Sequence, residues 1–488
     1  MKLVNTTVAS LLALAVTATA GAAEGPAPTG VPHLDHVFLI VMENHSYGQI
    51  IGNPAMPYIN AQIAKGQVNL ASNYFAVGHP SLTNYLELVG GSNFGVRSDN
   101  NPDWHNLSCQ PNLATGHVNA DGSSNTFGYI VDQTAICPIS GSGTDAATEA
   151  VDNWNEISAP IFNLLANIDG VKSVPAVKGT SGKTIADQLV EHGLSWKSYQ
   201  ESLPVTGADQ VNSSNGTATD SSYAALQAIA PGLPASSGTG LVADYAVKHN
   251  PFAYFASVQE GRYPGHSLKN TVGFDGQGGL YADLASGHVP TFSLIAPNQC
   301  DDQHGRGNGD AFCQYDPGIA SYSDLTNGTQ VGMSPGLSAQ ADVTLNRIVG
   351  AITASPVWHQ GLNAIVVVWD ENDYSGIDGS SVRQFAAGNL NKVVLTVQTS
   401  GPVAGVTSNN FYDSYSVLKS IEGGLGLPCL NHACDKDVAV MSDLFSSGRG
   451  NNGNGNGNDD HGGDHDHRGN AGRDNQNDRD NHNGWGHY

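Results

Sequence analysis

The sequence predicts an α/β fold, a three-layer α/β/α sandwich built on a mostly parallel sheet. Three observations predict it. Val37–Met42 and Ala364–Trp369 are continuous apolar runs without polar alternation, the pattern of strands buried on both faces. Runs of this kind alternate along the chain with segments whose apolar residues recur at helical spacing, as in parallel sheets joined by helical crossovers. Each of these two runs stops abruptly in polar residues, Glu43-Asn44 and Asp370-Glu371, where open α/β sheets place their ligand sites.

The ends of the chain stand apart from this pattern. Lys2 supplies a basic n-region, Val8–Ala20 an apolar h-region and Ala20-Gly21-Ala22 a small-residue cleavage site, so residues 1–22 read as a secretory signal peptide. That run is too short to span a bilayer and no second one is long enough. An exported protein without a transmembrane segment is expected, periplasmic or extracellular. At the other end, residues 446–488 are Gly, Asn, Asp and His with almost no apolar side chains. Such a tail buries no core and is expected to be disordered. Its His461, His465 and His467, alternating with Asp464 and Asp466, form a loose chelating pattern.

Between the ends, one domain is expected from 33 to 445, after a Pro/Gly linker at Gly25–Pro32. A short helix at Tyr58–Lys65 and a strand at Asn69–Phe75 follow the first strand. From Leu82, apolar residues at Tyr85, Leu86 and Val89 mark one helix face; Pro80 suits the first turn and Gly90-Gly91 the end. Residues 95–153, rich in Asn, Ser, Gly and Asp, read as an insertion or cap. Helices are expected at Ile161–Leu165 and Thr184–His192, a strand at Ser195–Tyr199 and a surface loop at Thr206–Asp220. Phe252–Val258 and Thr291–Ala296 read as strands, Ala339–Ala351 as a helix and Lys392–Val397 as a strand. The last helix starts at Tyr415–Ile421, closed by Gly423-Gly424.

The net charge of −24 disfavours nucleic-acid binding, because phosphate backbones attract Lys and Arg. Six cysteines in an exported chain point to disulfides, and proximity alone suggests Cys109–Cys137, Cys300–Cys313 and Cys429–Cys434.

Four clusters carry the chemistry: Glu43 with Asn44, His79 with Ser81, Asp302 with His304, and Asp370 with Glu371. Any one of them has an ordinary explanation as a cap, a first-turn residue or a surface loop. In a parallel sheet all four meet at one edge, where together they supply carboxylates, an amide oxygen, an imidazole and a hydroxyl. A divalent metal ion suits such donors. Placed beside Ser81 at a helix N-terminus, it would make the hydroxyl a nucleophile and stabilise a phosphoryl transition state.

At these residues the chain resembles the bacterial and fungal phosphoesterase family of secreted acid phosphatases and phospholipases C, within the alkaline phosphatase superfamily. The matching stretches are Val41–Tyr47, His79–Tyr85, His249–Phe255, Pro297–His304, Val368–Glu371 and Tyr415–Glu422 before Gly426-Leu427-Pro428. The resemblance implies an alkaline-phosphatase-like fold. It implies Glu43, Asn44, Asp370 and Glu371 as metal ligands, Ser81 as a nucleophile passing through a phosphoserine, Asp302 and His304 as ligands of metal or leaving group, and His79 as a phosphate contact. His45 and Ser46 take no role beyond the turn. Thr83 stands where relatives commonly have Pro, and Ser414 where they often have His. Asn372–Gly376 replaces the Gly-Gly-Phe-Tyr-Asp-His that typically follows the acidic pair in the phospholipase C branch. The leading expectation is therefore a secreted, metal-dependent acid phosphatase acting on small phosphate monoesters. A phospholipase C acting on phospholipid head groups and a surface metal-binding protein are the alternatives.

Overall fold

Strand β1 (His36–Met42) is buried along its length apart from a half-buried His36, because both of its faces are covered. It lies at the centre of the sheet in a computed structural model of the chain. The structure describes residues 24–78, 80–96, 99–102, 136–145, 178–209, 245–261, 263–305, 335–372 and 391–445. The further strands are β2 (Asn69–Phe75), β3 (Ser142–Thr144), β4 (Lys178–Ser181), β5 (Trp196–Gln200), β6 (Thr271–Val272), β7 (Phe292–Ala296), β8 (Asn363–Trp369), β9 (Lys392–Thr399), β10 (Thr407–Ser408) and β11 (Tyr412–Asp413). The nine-stranded sheet runs β10-β2-β9-β8-β1-β7-β5-β6, with β11 beside β2, while β3 and β4 pair separately. Only β9 among the described strands of this sheet runs antiparallel to its neighbours, β2 and β8. The predicted α/β class and mostly parallel sheet are observed.

The principal helices are α1 (Tyr47–Ile50), α2 (Pro57–Ala64), α3 (Ser81–Gly90), α4 (Ile185–Glu191), α5 (Ala256–Glu260), α6 (Leu280–Ser286), α7 (Pro335–Ala354) and α8 (Ser414–Leu425). Tyr58 and Ile59 of α2 and Leu345 and Val349 of α7 meet Ile365 and Val367 of β8 on one face. The alternate residues, Val37, Leu39 and Val41 of β1 and Val366 and Val368 of β8, are buried as completely, so the opposite face is covered too. Helix α3 packs against both α8 and α4.

Parallel pairing brings three strand ends level. Met42 pairs with Trp369, and Ile40 with Ile295 on the other side. The ladder then continues one step past the strands: the Asp370 amide donates to the Met42 carbonyl at 2.9 Å and the Glu43 amide to the Asp302 carbonyl at 2.9 Å. The polar residues after β1, β7 and β8 are thus laced together by backbone bonds.

Two sequence expectations are corrected. Phe252–Val258 is a 3-10 turn (Pro251–Tyr254) followed by α5, not a strand. An apolar run that is buried on all sides does not reveal its conformation by periodicity, and Pro251 has no N–H for a ladder. Gly423-Gly424 does not end the last helix, which continues to a left-handed Gly426 (φ 70°). Those two glycines serve close approach: a Cβ on Gly424 would meet Leu34 Cδ1 at 2.6 Å, and one on Gly423 the Pro28 carbonyl oxygen at 2.9 Å. Cys429–Cys434 is bonded as expected, and Cys137 and Cys300 are disulfide-bonded as well. Cys109, Cys313, His79, the expected helix at 161–165 and the tail lie outside the described residues, as does most of the expected insertion.

Candidate active site

Ser81 is the first residue of α3, follows Pro80 and is buried. The turn before it is held by Asn84: its side-chain oxygen accepts from the Val77 and Gly78 amides, and its Nδ2 donates to the Gly78 carbonyl at 2.7 Å. The same Nδ2 donates to Glu371 Oε2 at 3.1 Å, so one amide fixes both the nucleophile turn and the acidic residue facing it.

Ser81 Oγ lies 2.9 Å from Glu43 Oε2 and 3.0 Å from Glu371 Oε1. A hydroxyl has one proton to donate, so it satisfies one of these carboxylates. The other contact requires a proton on the acid or a cation between. Lys248 Nζ also reaches Ser81 Oγ at 3.3 Å, and donates to Asp99 Oδ2 at 2.9 Å. Lys248 Nζ lies 3.1 Å from His304 Nε2, while His304 Nδ1 lies 2.8 Å from the Gly305 carbonyl. These partners assign the proton to Nδ1 and the lone pair to Nε2.

Behind Ser81, the His249 ring lies between two carboxylates. His249 Nε2 is 3.1 Å from Glu43 Oε1, and His249 Nδ1 is 3.3 Å from Asp302 Oδ2. Glu43, His249 and Asp302 present ligand atoms all within 4.8 Å of one another. The His249 ring is stacked on Tyr85 of α3, with centroids 5.2 Å apart and planes 6° from parallel. Asn44 adopts a left-handed conformation (φ 50°), which Asn tolerates better than most residues, and its amide donates to Asp370 Oδ1 at 3.1 Å. The structure therefore brings Glu43, Asn44, Ser81, Asp302, His304, Asp370 and Glu371 together.

The electrostatics are extreme. Glu43, Asp302, Asp370 and Glu371 are all at most 2% exposed. Burial pushes the Glu43 carboxyl up to about 7, against the pull of Lys248. Burial, followed by the charge of Glu43, pushes Asp302, Asp370 and Glu371 well above the usual carboxylate range. Burial works to lower Lys248, but Asp99 and Glu43 outweigh it and hold the ammonium above its ordinary value. Four oxygens here, Glu43 Oε1, Asn44 Oδ1, Asp302 Oδ2 and Asp370 Oδ2, are buried without a hydrogen bond. Buried carboxylates against a single ammonium cost free energy unless a cation completes them. An oxygen-rich set with one imidazole suits a divalent cation of the magnesium-to-zinc range.

Sequence reasoning missed His249, Lys248 and Asp99. Treating Phe252–Val258 as a strand placed Lys248-His249 at its amino end, away from the cluster. Asp99 lay in a stretch whose composition resembles a surface loop. Two signals pointed to Lys248 and His249: the polar pair before Asn250-Pro251 inside an otherwise apolar segment, and the family-like stretch that begins at His249.

A buried hydroxyl, acids and an imidazole thus meet at the carboxyl ends of a parallel sheet. The chain belongs to the Phosphoesterase family, whose model matches residues 56–314. It is 30% identical over 181 residues to a phosphatidylinositol-3-phosphatase of Mycobacterium tuberculosis, covering 35% of this chain and 58% of that one. It is 22% identical to an acid phosphatase of Aspergillus fumigatus over 80% of this chain and 55% of the relative. A probable acid phosphatase of Kluyveromyces lactis is also 22% identical, over 83% and 61%. The chain spans between 55% and 61% of the length of these relatives. Among solved structures it has a distant likeness to an alkaline phosphatase superfamily protein from Vibrio parahaemolyticus, at 11% identity and a TM-score of 0.40, covering 84% of this chain and 70% of that one.

Proposed function

We propose that the protein is an exported, metal-dependent phosphatase that hydrolyses phosphate monoesters through a phosphoserine on Ser81. The observation that carries this reading is the buried Ser81 hydroxyl between Glu43 and Glu371, backed by four buried oxygens that lack hydrogen bonds. Glu43, His249 and Asp302, with Asn44 and Asp370 beside them, would hold the cation. Bound there, a divalent cation would neutralise the carboxylates, favour the Ser81 alkoxide and stabilise charge on the transferred phosphoryl group.

The chain's own residues do the rest. Glu371 takes the Ser81 proton as Oγ attacks phosphorus. The bond from phosphorus to the ester oxygen breaks, and the departing alkoxide takes a proton from solvent, while the carboxylic acid keeps the Ser81 proton to return it when the phosphoserine is hydrolysed. Water then attacks the phosphoserine, releasing inorganic phosphate and restoring the Ser81 hydroxyl. His304 would take the proton of that water once its Nε2 lone pair, which accepts from Lys248, is released. Asn84 keeps Ser81 and Glu371 aligned throughout.

The relatives' names include two acid phosphatases and one phosphatidylinositol-3-phosphatase, which favours monoesters over the phospholipase C reaction and keeps phosphoinositide head groups in view. The signal-peptide pattern of residues 1–22 supports export; among the described residues no helix is long and apolar enough to cross a membrane. The test is a panel of phosphate mono- and diesters on the purified protein with elemental analysis. Monoester turnover that is lost on chelation and restored by a divalent metal supports the reading. Stoichiometric metal without turnover of any phosphate ester would leave a metal-binding protein instead.

A further inference from the structure

Lys248 is the only cationic side chain among the described residues that contacts Ser81, and the phosphatase reading alone does not give it a task. Its ammonium has three N–H donors and no acceptor. They are directed to Ser81 Oγ at 3.3 Å, His304 Nε2 at 3.1 Å and Asp99 Oδ2 at 2.9 Å. The first two partners face the interior. The third faces outward: the Asp99 side chain is 33% exposed, that of Lys248 only 13%. Asp99 uses its other oxygen to accept from the Leu82 amide in the first turn of α3, at 3.0 Å. A carboxylate thus occupies two donors beside the nucleophile, an ammonium and a helix-terminal N–H. These are the donors that a non-bridging phosphoryl oxygen would use.

We infer that Lys248 reads the charge of the phosphoryl group, selecting dianionic monoesters over monoanionic diesters, and that Asp99 is an internal anion that competes with substrate for it. The inference rests on the phosphatase reading. A phosphate monoester carries nearly two charges near neutral pH because its second ionisation falls at about 6, whereas a diester carries one. Removing a positive charge in contact with the phosphoryl oxygens therefore penalises the monoester more. Asp99 raises the threshold for any anion to enter, since the incoming group must displace a carboxylate already paired with Lys248.

The experiment compares 4-nitrophenyl phosphate with methyl 4-nitrophenyl phosphate, which share a leaving group and differ by one charge. It uses the full-length protein with Lys248→Met, Lys248→Arg and Asp99→Asn, metal content by elemental analysis, and calorimetric titration with inorganic phosphate. Lys248→Met is expected to lower kcat/KM for the monoester about 100-fold and for the diester less than about tenfold, with metal content unchanged and Lys248→Arg partly restored. Asp99→Asn keeps the acceptor for the Leu82 amide but removes the competing charge, so phosphate is expected to bind severalfold tighter. An equal loss on both esters in Lys248→Met, or no tightening in Asp99→Asn, overturns the inference. Should Lys248→Met not fold, the phosphate titration of Asp99→Asn decides. Wild-type protein inactive on both esters refutes the phosphatase reading itself, a result distinct from wild-type turnover whose ester preference survives the Lys248 substitution.

Discussion

Two buried polar clusters lie at opposite ends of α3, and they solve the burial of charge in different ways. Beyond its carboxyl end, Ser92 Oγ donates to Asp145 Oδ2 at 2.8 Å, and His432 bridges Asp145 and Asp435 through its two ring nitrogens at 2.9 and 2.8 Å. Burial alone would lower the His432 imidazole, but Asp145 and Asp435 outweigh it and push it up to about 9. A protonated ring between two carboxylates nearly balances them, and Glu87, buried beside His432, leaves a single oxygen without a hydrogen bond. At the amino end of α3, four buried carboxylates face one ammonium and the His249 ring, which bridges only Glu43 and Asp302, and four oxygens have no hydrogen bond. Burial of polar groups is common to both. What separates a candidate site from a structural network is the balance left unpaid within the chain.

Substitutions at the two ends should diverge. The largest effect is expected at Ser81. Ser81→Ala should lower monoester turnover by about 10,000-fold or more, with an unchanged melting curve; retained turnover would place the nucleophile elsewhere. Next comes Asp302→Asn, which should weaken retention of a divalent metal by about 100-fold or more. Wild-type protein at a metal concentration about 100 times the dissociation constant should gain about 2.7 kcal/mol of stability, and Asp302→Asn should show little of that gain in the same thermal scan.

At the other end of the helix the readout is stability. The folded His432 value lies above the unfolded one of 6.5, so its contribution is fully present below pH 6.5 and is lost as pH rises through about 9. His432→Gln should therefore melt well below wild type at pH 6, while the two curves should converge above pH 9, with turnover per folded molecule little changed. A gap that widens with pH would reverse the sign and refute the assignment. The smallest effect is the most discriminating. In metal-free protein Glu371→Gln should leave stability unchanged or slightly raised, because it relieves repulsion among like charges. Asp145→Asn breaks a satisfied network and should cost about 1–3 kcal/mol.

The two ends also differ in how far the sequence reveals them. Glu43, Asp370 and Asp302 were legible because they follow β1, β8 and β7, strands whose unbroken apolar character requires burial on both faces. Parallel pairing then forces their carboxyl ends together. Ser81 was legible from Pro80 and the apolar spacing of α3. Lys248 and His249 were not, because they are delivered by a separate short 3-10 turn, Val247–His249, just ahead of the apolar run that imitates a strand. Asp99 reaches the site from a loop, where no periodicity exists to read. Gly423 and Gly424 misled for a related reason: in the sequence they resemble a helix stop, and only the approach of Pro28 and Leu34 shows that they are contact points. The His432 network joins residues 92, 145, 432 and 435, and nothing local in the sequence couples them.

Peptide mass spectrometry after acid quench during turnover of a chromogenic phosphate monoester tests the central claim most directly. The account predicts one added phosphoryl group on the peptide carrying Ser81, lost when the protein is chelated before substrate is added. Continued turnover with Ser81 never phosphorylated, or a phosphoryl group trapped on a different residue, would contradict it.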